Sequence, residues 1–232
     1  MANERRYAIY YTPAPDSALA CFGAAVLGYD ASTGQDVGRA KLSALLPPGL
    51  EALTREPRLY GFHGTLKAPM ALRTGVSEAD VLAAVSAFAG QRPPVILGEL
   101  EVALIGGFVA LVPAVPCPTI ALLAAECVAH FDSFRAPLSD SDRARRVQQG
   151  LSLRQTALLD RWGYPYVFNE FRFHMTLTGS LPPQDRDLWL RALQAAFNDL
   201  SGDVVVVEAV SVFRQQARNE PFRAIARVVL GA

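Results

Sequence analysis

Hydrophobic and polar residues recur along the chain with two periods, one typical of strands and the other of helices. Residues 5–12, RRYAIYYT, form an aromatic and β-branched run that predicts a strand. Side chains alternate across a strand, so Tyr7 and Tyr11 would share one face and Tyr10 would lie on the other. Further strands are expected at about 60–68, 95–104, 108–113, 170–178, 204–213 and 222–230.

Apolar residues spaced three and four apart predict helices between these strands. The expected helices cover about 16–27, 77–88, 118–133, 151–162 and 182–200. The sequence Ser-Glu-Ala-Asp from Ser77 resembles a capping box at the start of the second helix. Residues 134–150 carry charges of both signs, with arginines at 135, 143, 145 and 146. We interpret this stretch as a solvated connector, with an arginine-bearing substrate loop as the alternative.

The order strand, helix, strand, strand occurs twice, at about 60–113 and again at about 170–230. This order predicts an α+β fold in which helices cover a mainly antiparallel sheet. We interpret residues 1–232 as a single bilobal domain that arose by duplication. Each lobe would have its own sheet. A pseudo-two-fold axis would relate the lobes and place the first strand of each set, at about 60–68 and 170–178, side by side at a cleft between them.

Two of the three histidines lie in matching strands with the sequence Phe-His-x-Thr-Leu. They are His63 and His174, and Thr65 and Thr176 follow two residues later. Because residues two apart share a face of a strand, each histidine and its threonine would point into the same space. Either residue type alone is common on strands for structural reasons, but the repetition in two matched contexts favours a shared functional site.

Paired histidines at one cleft are suited to substitution at phosphorus. One neutral imidazole can deprotonate a water, and one imidazolium can protonate the leaving oxygen, because the histidine pKa is near neutrality. The threonine hydroxyls can donate hydrogen bonds to phosphoryl oxygens as charge develops. The predicted catalytic residues are therefore His63, His174, Thr65 and Thr176, and either histidine can take either role.

Residues near the motifs are candidates for binding the substrate. Strict alternation would place Lys67 on the face of His63, and Arg172 on the face of His174, where both cations can stabilise an anion. Tyr7, Tyr11 and Tyr166 complete the predicted substrate-binding residues.

Composition limits the classes of partner and compartment. Lys plus Arg and Asp plus Glu are both 22, so no net positive charge attracts long nucleic acid. Cys21, Cys117 and Cys127 form no CxxC pair, and no signal peptide or membrane span is visible, so we expect a cytoplasmic protein with reduced thiols. Cys127 and His130 have the spacing of half a metal site, but no second pair accompanies them, so no metal and no cofactor are expected.

The doubled His-x-Thr resembles the 2H phosphoesterase superfamily, which includes the LigT-like RNA 2′,3′-cyclic phosphodiesterases. The resemblance implies a bilobal fold with one His-x-Thr or His-x-Ser motif per lobe, and catalysis without a metal. A wider similarity, at residues 6–11, 59–63, 162–166 and 173–179, is to the DUF1045-like branch, whose name associates it with phosphonate metabolism. That name implies a small phosphoester released from carbon–phosphorus bond breakdown.

The expected activity is metal-independent hydrolysis of a small cyclic phosphodiester, of the 2′,3′-cyclic or ribose cyclic phosphate type. Two alternatives stay open. One is a non-catalytic binder of a phosphorylated ligand, which a turnover assay would distinguish. The other is an RNA-end processing cyclic phosphodiesterase or ligase, which would bind RNA in a salt-dependent way. The expected partner is a small phosphoester, and the sequence assigns no oligomeric state.

Overall fold

Short strands and helices alternate along the chain. The computed structural model describes residues 5–43, 45–148 and 150–231. The strands are β1 (Arg6–Tyr11), β2 (Tyr29–Asp30), β3 (Gln35–Asp36), β4 (Gly64–Met70), β5 (Val95–Gly98), β6 (Leu100–Ile105), β7 (Phe108–Pro113), β8 (Met175–Thr176), β9 (Val205–Val207), β10 (Ala209–Gln215) and β11 (Arg223–Val229). The helices are α1 (Ala18–Leu27), α2 (Ala40–Ser43), α3 (Leu50–Arg58), α4 (Glu78–Ala89), α5 (Pro118–His130), α6 (Asp140–Val147), α7 (Leu153–Trp162) and α8 (Arg186–Phe197).

Seven of these strands form one antiparallel sheet in the order β11-β10-β1-β4-β8-β7-β6. Helix α4 packs against β10 and β11, α5 against β4, and α8 against β6 and β7. The main hydrophobic core includes Tyr7, Ile9 and Tyr11 of β1 together with residues of these helices. The α+β class with a mainly antiparallel sheet, expected from the order of elements, is therefore confirmed.

The two halves of the chain exchange their hairpins. Hairpin β6–β7 follows β4 in sequence but pairs with β8, while β10–β11 follows β8 in sequence but lies on the β4 side of the sheet, next to β1. The expected division into one sheet for 60–113 and another for 170–230 therefore does not describe the pairing. The exchange has a physical benefit, because both motif strands gain neighbours on two sides and neither is left as an exposed edge.

The duplication also departs from an exact two-fold arrangement. Strand β6 is the second neighbour of the motif strand β8, and β10 is the second neighbour of the motif strand β4, so their positions are equivalent. Strand β7 lies inside β6, next to β8, whereas β11 lies outside β10. The vacant inner position beside β4 is taken by β1, from the other end of the chain.

Local sequence signals explain several element boundaries. The capping box predicted at Ser77 is present: the Ser77 hydroxyl accepts from the backbone N–H of Asp80, whose side chain accepts from the N–H of Ser77. The stretch 134–150 is not simply a connector, because Ser139 caps α6 by accepting from the N–H of Asp142. None of the helices in the described ranges is long and apolar enough to cross a membrane.

The second motif strand is shorter than the expected 170–178. Residues Phe168–Glu170 form a 3-10 turn, and ladder pairing in β8 is limited to Met175–Thr176. Beyond this ladder the backbone N–H of Val109 donates at 3.0 Å to the side-chain hydroxyl of Thr178 and not to a backbone carbonyl. Arg172 and His174 therefore precede the ladder.

Candidate active site

The two motif segments lie side by side in the sheet. Gly64 of β4 pairs with Met175 of β8 in antiparallel register. One further step of this register in each direction places His63 opposite Thr176, and Thr65 opposite His174. Each histidine thus lies opposite the threonine of the other copy, about the local two-fold of the strand pair.

Two adjoining cavities open at this strand pair. Thr65 and His174 line one of about 460 Å³. His63 and Thr176 line the other, of about 320 Å³. Phe108 lines both cavities, and its ring centroid lies 5.6 Å from that of His174. The structure therefore brings all four predicted catalytic residues to two cavities that share Phe108.

Backbone carbonyls orient both imidazoles in the same way. The Nδ1 of His63 donates to the Gly61 carbonyl at 2.9 Å, and the Nδ1 of His174 donates to the Arg172 carbonyl at 2.8 Å. A carbonyl oxygen can only accept, so Nδ1 carries the proton, and in the neutral ring Nε2 keeps a lone pair. The hydroxyl of Thr65 lies 3.1 Å from the Nε2 of His63 and donates to it.

Gly61 is a site residue that the sequence analysis missed. Its φ is +71°, and a Cβ at this position would come within 2.5 Å of the Cβ of Ala31. Only glycine fits this left-handed backbone, which directs the carbonyl towards His63. The available signal in the sequence was a glycine two residues before His63.

Tyr10 is a second missed residue. Its ring stacks on that of His63, with centroids 3.8 Å apart and planes 23° from parallel. The prediction that Tyr7 and Tyr11 bind the substrate is wrong, because both lie on the helix-covered face. The hydroxyl of Tyr7 donates to Glu78 at 2.9 Å, and Tyr11 is buried in the main core. Residues 7–11 of β1 are buried on both faces, so alternation alone did not identify the face of the site.

Lys67 does not share the face of His63 and Thr65, as strict alternation predicted. Thr65 pairs with Tyr10 but Lys67 pairs with Ile9, so Leu66 is an extra residue in a β-bulge. A one-residue bulge moves the following side chains to the opposite face. The Nζ of Lys67 is buried there, where it donates to the Val128 carbonyl at 3.0 Å and to Asp132 at 3.2 Å. Burial lowers the pKa of Lys67 to about 8, and Asp132 opposes this shift.

Two of the predicted substrate-binding residues lie at the site. Arg172 and Tyr166 both line the larger cavity with His174. Arg172 is exposed, and Tyr166 packs edge-on to Tyr164 with centroids 5.6 Å apart. Over the residues that are described, no group of three or more His, Cys, Asp and Glu is arranged to hold a metal ion.

Burial controls the protonation of both histidines. The pKa of His63 falls to about 4. Burial is the main cause, the nearby His174 acts in the same direction, and the hydrogen bond to Gly61 opposes both. Burial also lowers the pKa of His174, where the bond to Arg172 opposes the shift. In the unliganded protein His63 is therefore neutral at pH 7, with an Nε2 that can accept a proton.

Comparison with known proteins identifies the family. Residues 65–223 match the family model described as protein of unknown function (DUF1045), and the chain belongs to this family. The branch that its segments resemble is thereby confirmed.

The curated relatives are about twice as long as this chain. It is 38% identical over 221 residues to the "Ribose 1,5-bisphosphate phosphokinase PhnN" of Janthinobacterium sp. (strain Marseille), covering 94% of this chain and 49% of the relative. It is 35% identical over 222 residues to the protein of the same name from Laribacter hongkongensis (strain HLHK9), covering 94% and 50%. The chain thus spans about half the length of the curated relatives it matches.

Several solved structures are distantly similar. A phosphoesterase crystal structure has 15% identity and a TM-score of 0.43, with 99% of each chain covered. E. coli LigT complexed with NADP+ has 16% identity and a TM-score of 0.41, with 99% of each chain covered. E. coli LigT complexed with 3′-AMP has 14% identity and a TM-score of 0.42, with 100% of each covered.

The buried position of Lys67 predicts a structural role. Lys67→Met should lower the free energy of unfolding by about 1–3 kcal/mol, because the Val128 carbonyl loses a buried donor. Arg172→Met, which removes an exposed cation, should change it by less than about 0.5 kcal/mol. Urea denaturation of both variants measures the difference. Equal stabilities would contradict the buried role of Lys67.

The lowered pKa of His63 predicts a pH-dependent stability. The unfolded histidine titrates near pH 6.5 and the folded one near pH 4. Between these values the unfolded chain binds the extra proton, so the stabilisation is complete above about pH 6.5 and is lost as the pH falls towards 4. Relative to His63→Gln, the wild type should lose up to about 3 kcal/mol between pH 7 and pH 4.

Urea denaturation gives the free energy of unfolding of the wild type and of His63→Gln at each pH. Their difference reports His63 alone, because both proteins have the same carboxylates. His130→Gln, at the end of α5 and outside the motifs, is the matched control. A wild-type protein whose difference from His63→Gln does not vary with pH would contradict the shift.

Proposed function

We propose that this protein is a phosphoesterase that hydrolyses a small cyclic phosphodiester with its two histidines as general base and general acid. The observation that supports the proposal is the arrangement of the His-x-Thr segments. They lie on adjacent strands, and each histidine donates from Nδ1 to the carbonyl two residues earlier. Identical orientation of two imidazoles is not needed for anion binding alone, so it favours catalysis over a non-catalytic binder.

His63 is the proposed general base. Its depressed pKa keeps it neutral at physiological pH, and its Nε2 is the acceptor on the ring. In the reaction, Nε2 takes a proton from a water as the water oxygen forms a bond to phosphorus. The Tyr10 ring stacked on the imidazole holds it in place while its charge changes.

His174 is the proposed general acid. It must first take up a proton, and the negative charge of a bound phosphodiester raises its pKa in the complex. As the ester P–O bond breaks, Nε2 of the imidazolium gives its proton to the leaving oxygen. The products are a phosphomonoester, a protonated His63 and a neutral His174, and proton exchange with solvent restores the starting state.

The threonines and Arg172 stabilise charge on the phosphoryl oxygens in this scheme. The Thr65 hydroxyl, which donates to His63 in the unliganded protein, turns to a phosphoryl oxygen when Nε2 takes the water proton. Thr176 acts in the same way from the other copy. Arg172 supplies a cation at the mouth of the larger cavity.

The proposed substrate class is a cyclic phosphate of a phosphorylated ribose. The relatives' printed name concerns ribose 1,5-bisphosphate, which supports a sugar phosphate for this chain. The phosphokinase activity in that name is not transferred. This chain has two lysines, Lys41 and Lys67, and neither stands in a Gly-x-x-x-x-Gly-Lys phosphate loop. The link to phosphonate metabolism and the cytoplasmic location belong to the same proposal.

Variants of the paired residues test the mechanism. His63→Ala and His174→Ala should each lower kcat at least about 10²-fold, because each removes one proton transfer. Thr65→Val and Thr176→Val should lower kcat by about 10²–10³-fold with little change in KM, because a hydroxyl donor is lost from the transition state. Hydrolysis of ribose cyclic phosphates and 2′,3′-cyclic nucleotides is the assay. His130→Ala, which lies outside the motifs, should keep full activity.

Either of two outcomes would contradict the mechanism. One is full activity in both histidine variants, and the other is loss of activity in His130→Ala. Tight binding of a cyclic phosphate without turnover would support the non-catalytic alternative instead.

The reaction should not depend on a metal. The proposed proton transfers and charge stabilisation use side chains alone. Prolonged treatment with EDTA should leave kcat/KM for the cyclic phosphate within twofold of the untreated value. Activity that disappears with the chelator and returns with a divalent ion would refute the scheme.

A further inference from the structure

Next to His63, on the side of its stacked Tyr10, lies a group of phenols and guanidinium groups that the proposed hydrolysis does not use. Burial raises the pKa of the Tyr10 phenol, and Tyr60, Arg6 and Tyr164 lie near enough to influence that pKa. The guanidinium of Arg146 lies over the ring of Tyr164, 5.0 Å from its centroid. We call these five residues the Arg–Tyr cluster. It is continuous with the site, because Tyr60 lines the smaller cavity and Tyr164 the larger one.

The two arginines of the cluster have no carboxylate partner in the part of the chain that the structure describes. Within the described residues neither Arg6 nor Arg146 forms an ion pair. Arg6 donates instead to the neutral amide oxygen of Gln215 at 2.8 Å. Burial lowers the pKa of the Arg6 guanidinium, Tyr60 opposes this, and the nearby Arg218 lowers it further. An anion bound beside Arg6 would offset this repulsion from Arg218.

Arg146 also has a buried donor without an acceptor. Its Nε is buried and makes no hydrogen bond to any described residue. Buried polar groups in proteins nearly always have a partner, so such a donor calls for a ligand or a water. The neighbouring arginines of α6 differ, since Arg143 pairs with Asp160 and Arg145 with Asp142.

The fold holds Arg146 firmly in this position. A bidentate ion pair between Arg218 and Asp142, at 2.9 and 2.5 Å, joins helix α6 to the β10–β11 connection. A second bidentate ion pair, between Arg143 and Asp160 at 2.6 and 2.9 Å, joins α6 to α7. Arg146 therefore lies on a helix that is joined to its neighbours at two points.

We propose that the Arg–Tyr cluster binds a second phosphoryl group of the substrate, a phosphomonoester separate from the cyclic diester at the histidines. This rests on the proposed function. Guanidinium groups match the oxygens of a phosphoryl group with paired donors, and phenol hydroxyls add neutral donors. A dianionic monoester suits two cations, and a sugar with phosphoryl groups on separate hydroxyls spans the two places. The cluster thus selects phosphorylated over unphosphorylated sugar cyclic phosphates.

Two substrates that differ only in this group test the proposal. They are ribose 1,2-cyclic phosphate with and without a phosphomonoester on the 5-hydroxyl. The wild type should favour the phosphorylated substrate by about 10–100-fold in kcat/KM, the value of one or two charge-assisted hydrogen bonds. Arg146→Met should remove most of this preference while leaving kcat/KM for the unphosphorylated substrate unchanged. Arg146→Lys should retain part of it.

Arg145→Met is the matched control, because it removes a neighbouring arginine whose carboxylate partner, Asp142, lies on the same helix. It should keep the wild-type preference. A wild type without the preference, or an Arg146→Met variant that keeps it, overturns the proposal. Loss of the preference in Arg145→Met to the same extent would also overturn it, because the effect would then be one of general charge.

A binding measurement separates this proposal from the hydrolysis itself. Ribose 5-phosphate carries the monoester but no diester, so it probes the cluster alone. In calorimetric titration Arg146→Met should weaken its binding about 10-fold or more, while His63→Gln and Arg145→Met should not. If neither cyclic phosphate is hydrolysed, the proposed function fails, and this titration still decides the cluster. Unchanged binding in Arg146→Met overturns it.

Discussion

The pairing of Gly64 with Met175 is the contact on which the site depends, because it places two segments from opposite halves of the chain in one register. Gly64 is required for this close approach: a Cβ there would come within 2.6 Å of the Phe173 ring. The same pairing sets each histidine opposite the other copy's threonine. A shift by one residue would turn the side chains of one strand to the opposite face and separate the pairs.

The sequence was sufficient where a local rule determines the outcome. The repeated Phe-His-x-Thr-Leu predicted two strands with His63 and Thr65, and His174 and Thr176, and the structure brings these residues together. The Ser77 cap followed from backbone N–H groups that need an acceptor at a helix start. The spacing within each His-x-Thr copy and the Ser77 cap both involve residues two or three apart, which one stretch of sequence contains in full, and the repetition of the motif pointed to the long-range pairing.

Prediction failed where the outcome depends on a distant partner. Lys67 left the predicted face because the pairing of β4 with β1 contains a bulge, and nothing within β4 alone requires it. Tyr10 was passed over because residues 7–11 of β1 are buried on both faces, so its hydrophobic pattern has no polar side. The hairpin exchange was invisible for the same reason. Alternation describes a strand, but the choice of neighbour is made by the whole sheet.

The position of β1 has a consequence for the order in which the molecule can assemble. Strand β1 is synthesised about two hundred residues before its partner β10, with Arg6 pairing to Gln215. Contacts between such distant segments are entropically costly to close and slow folding. Until β10 arrives, Tyr10 lacks the Phe213 ring that packs against it at 5.0 Å. The support behind His63 is therefore completed only after β10 has been synthesised, and a nascent chain would hold both histidines before it could use them.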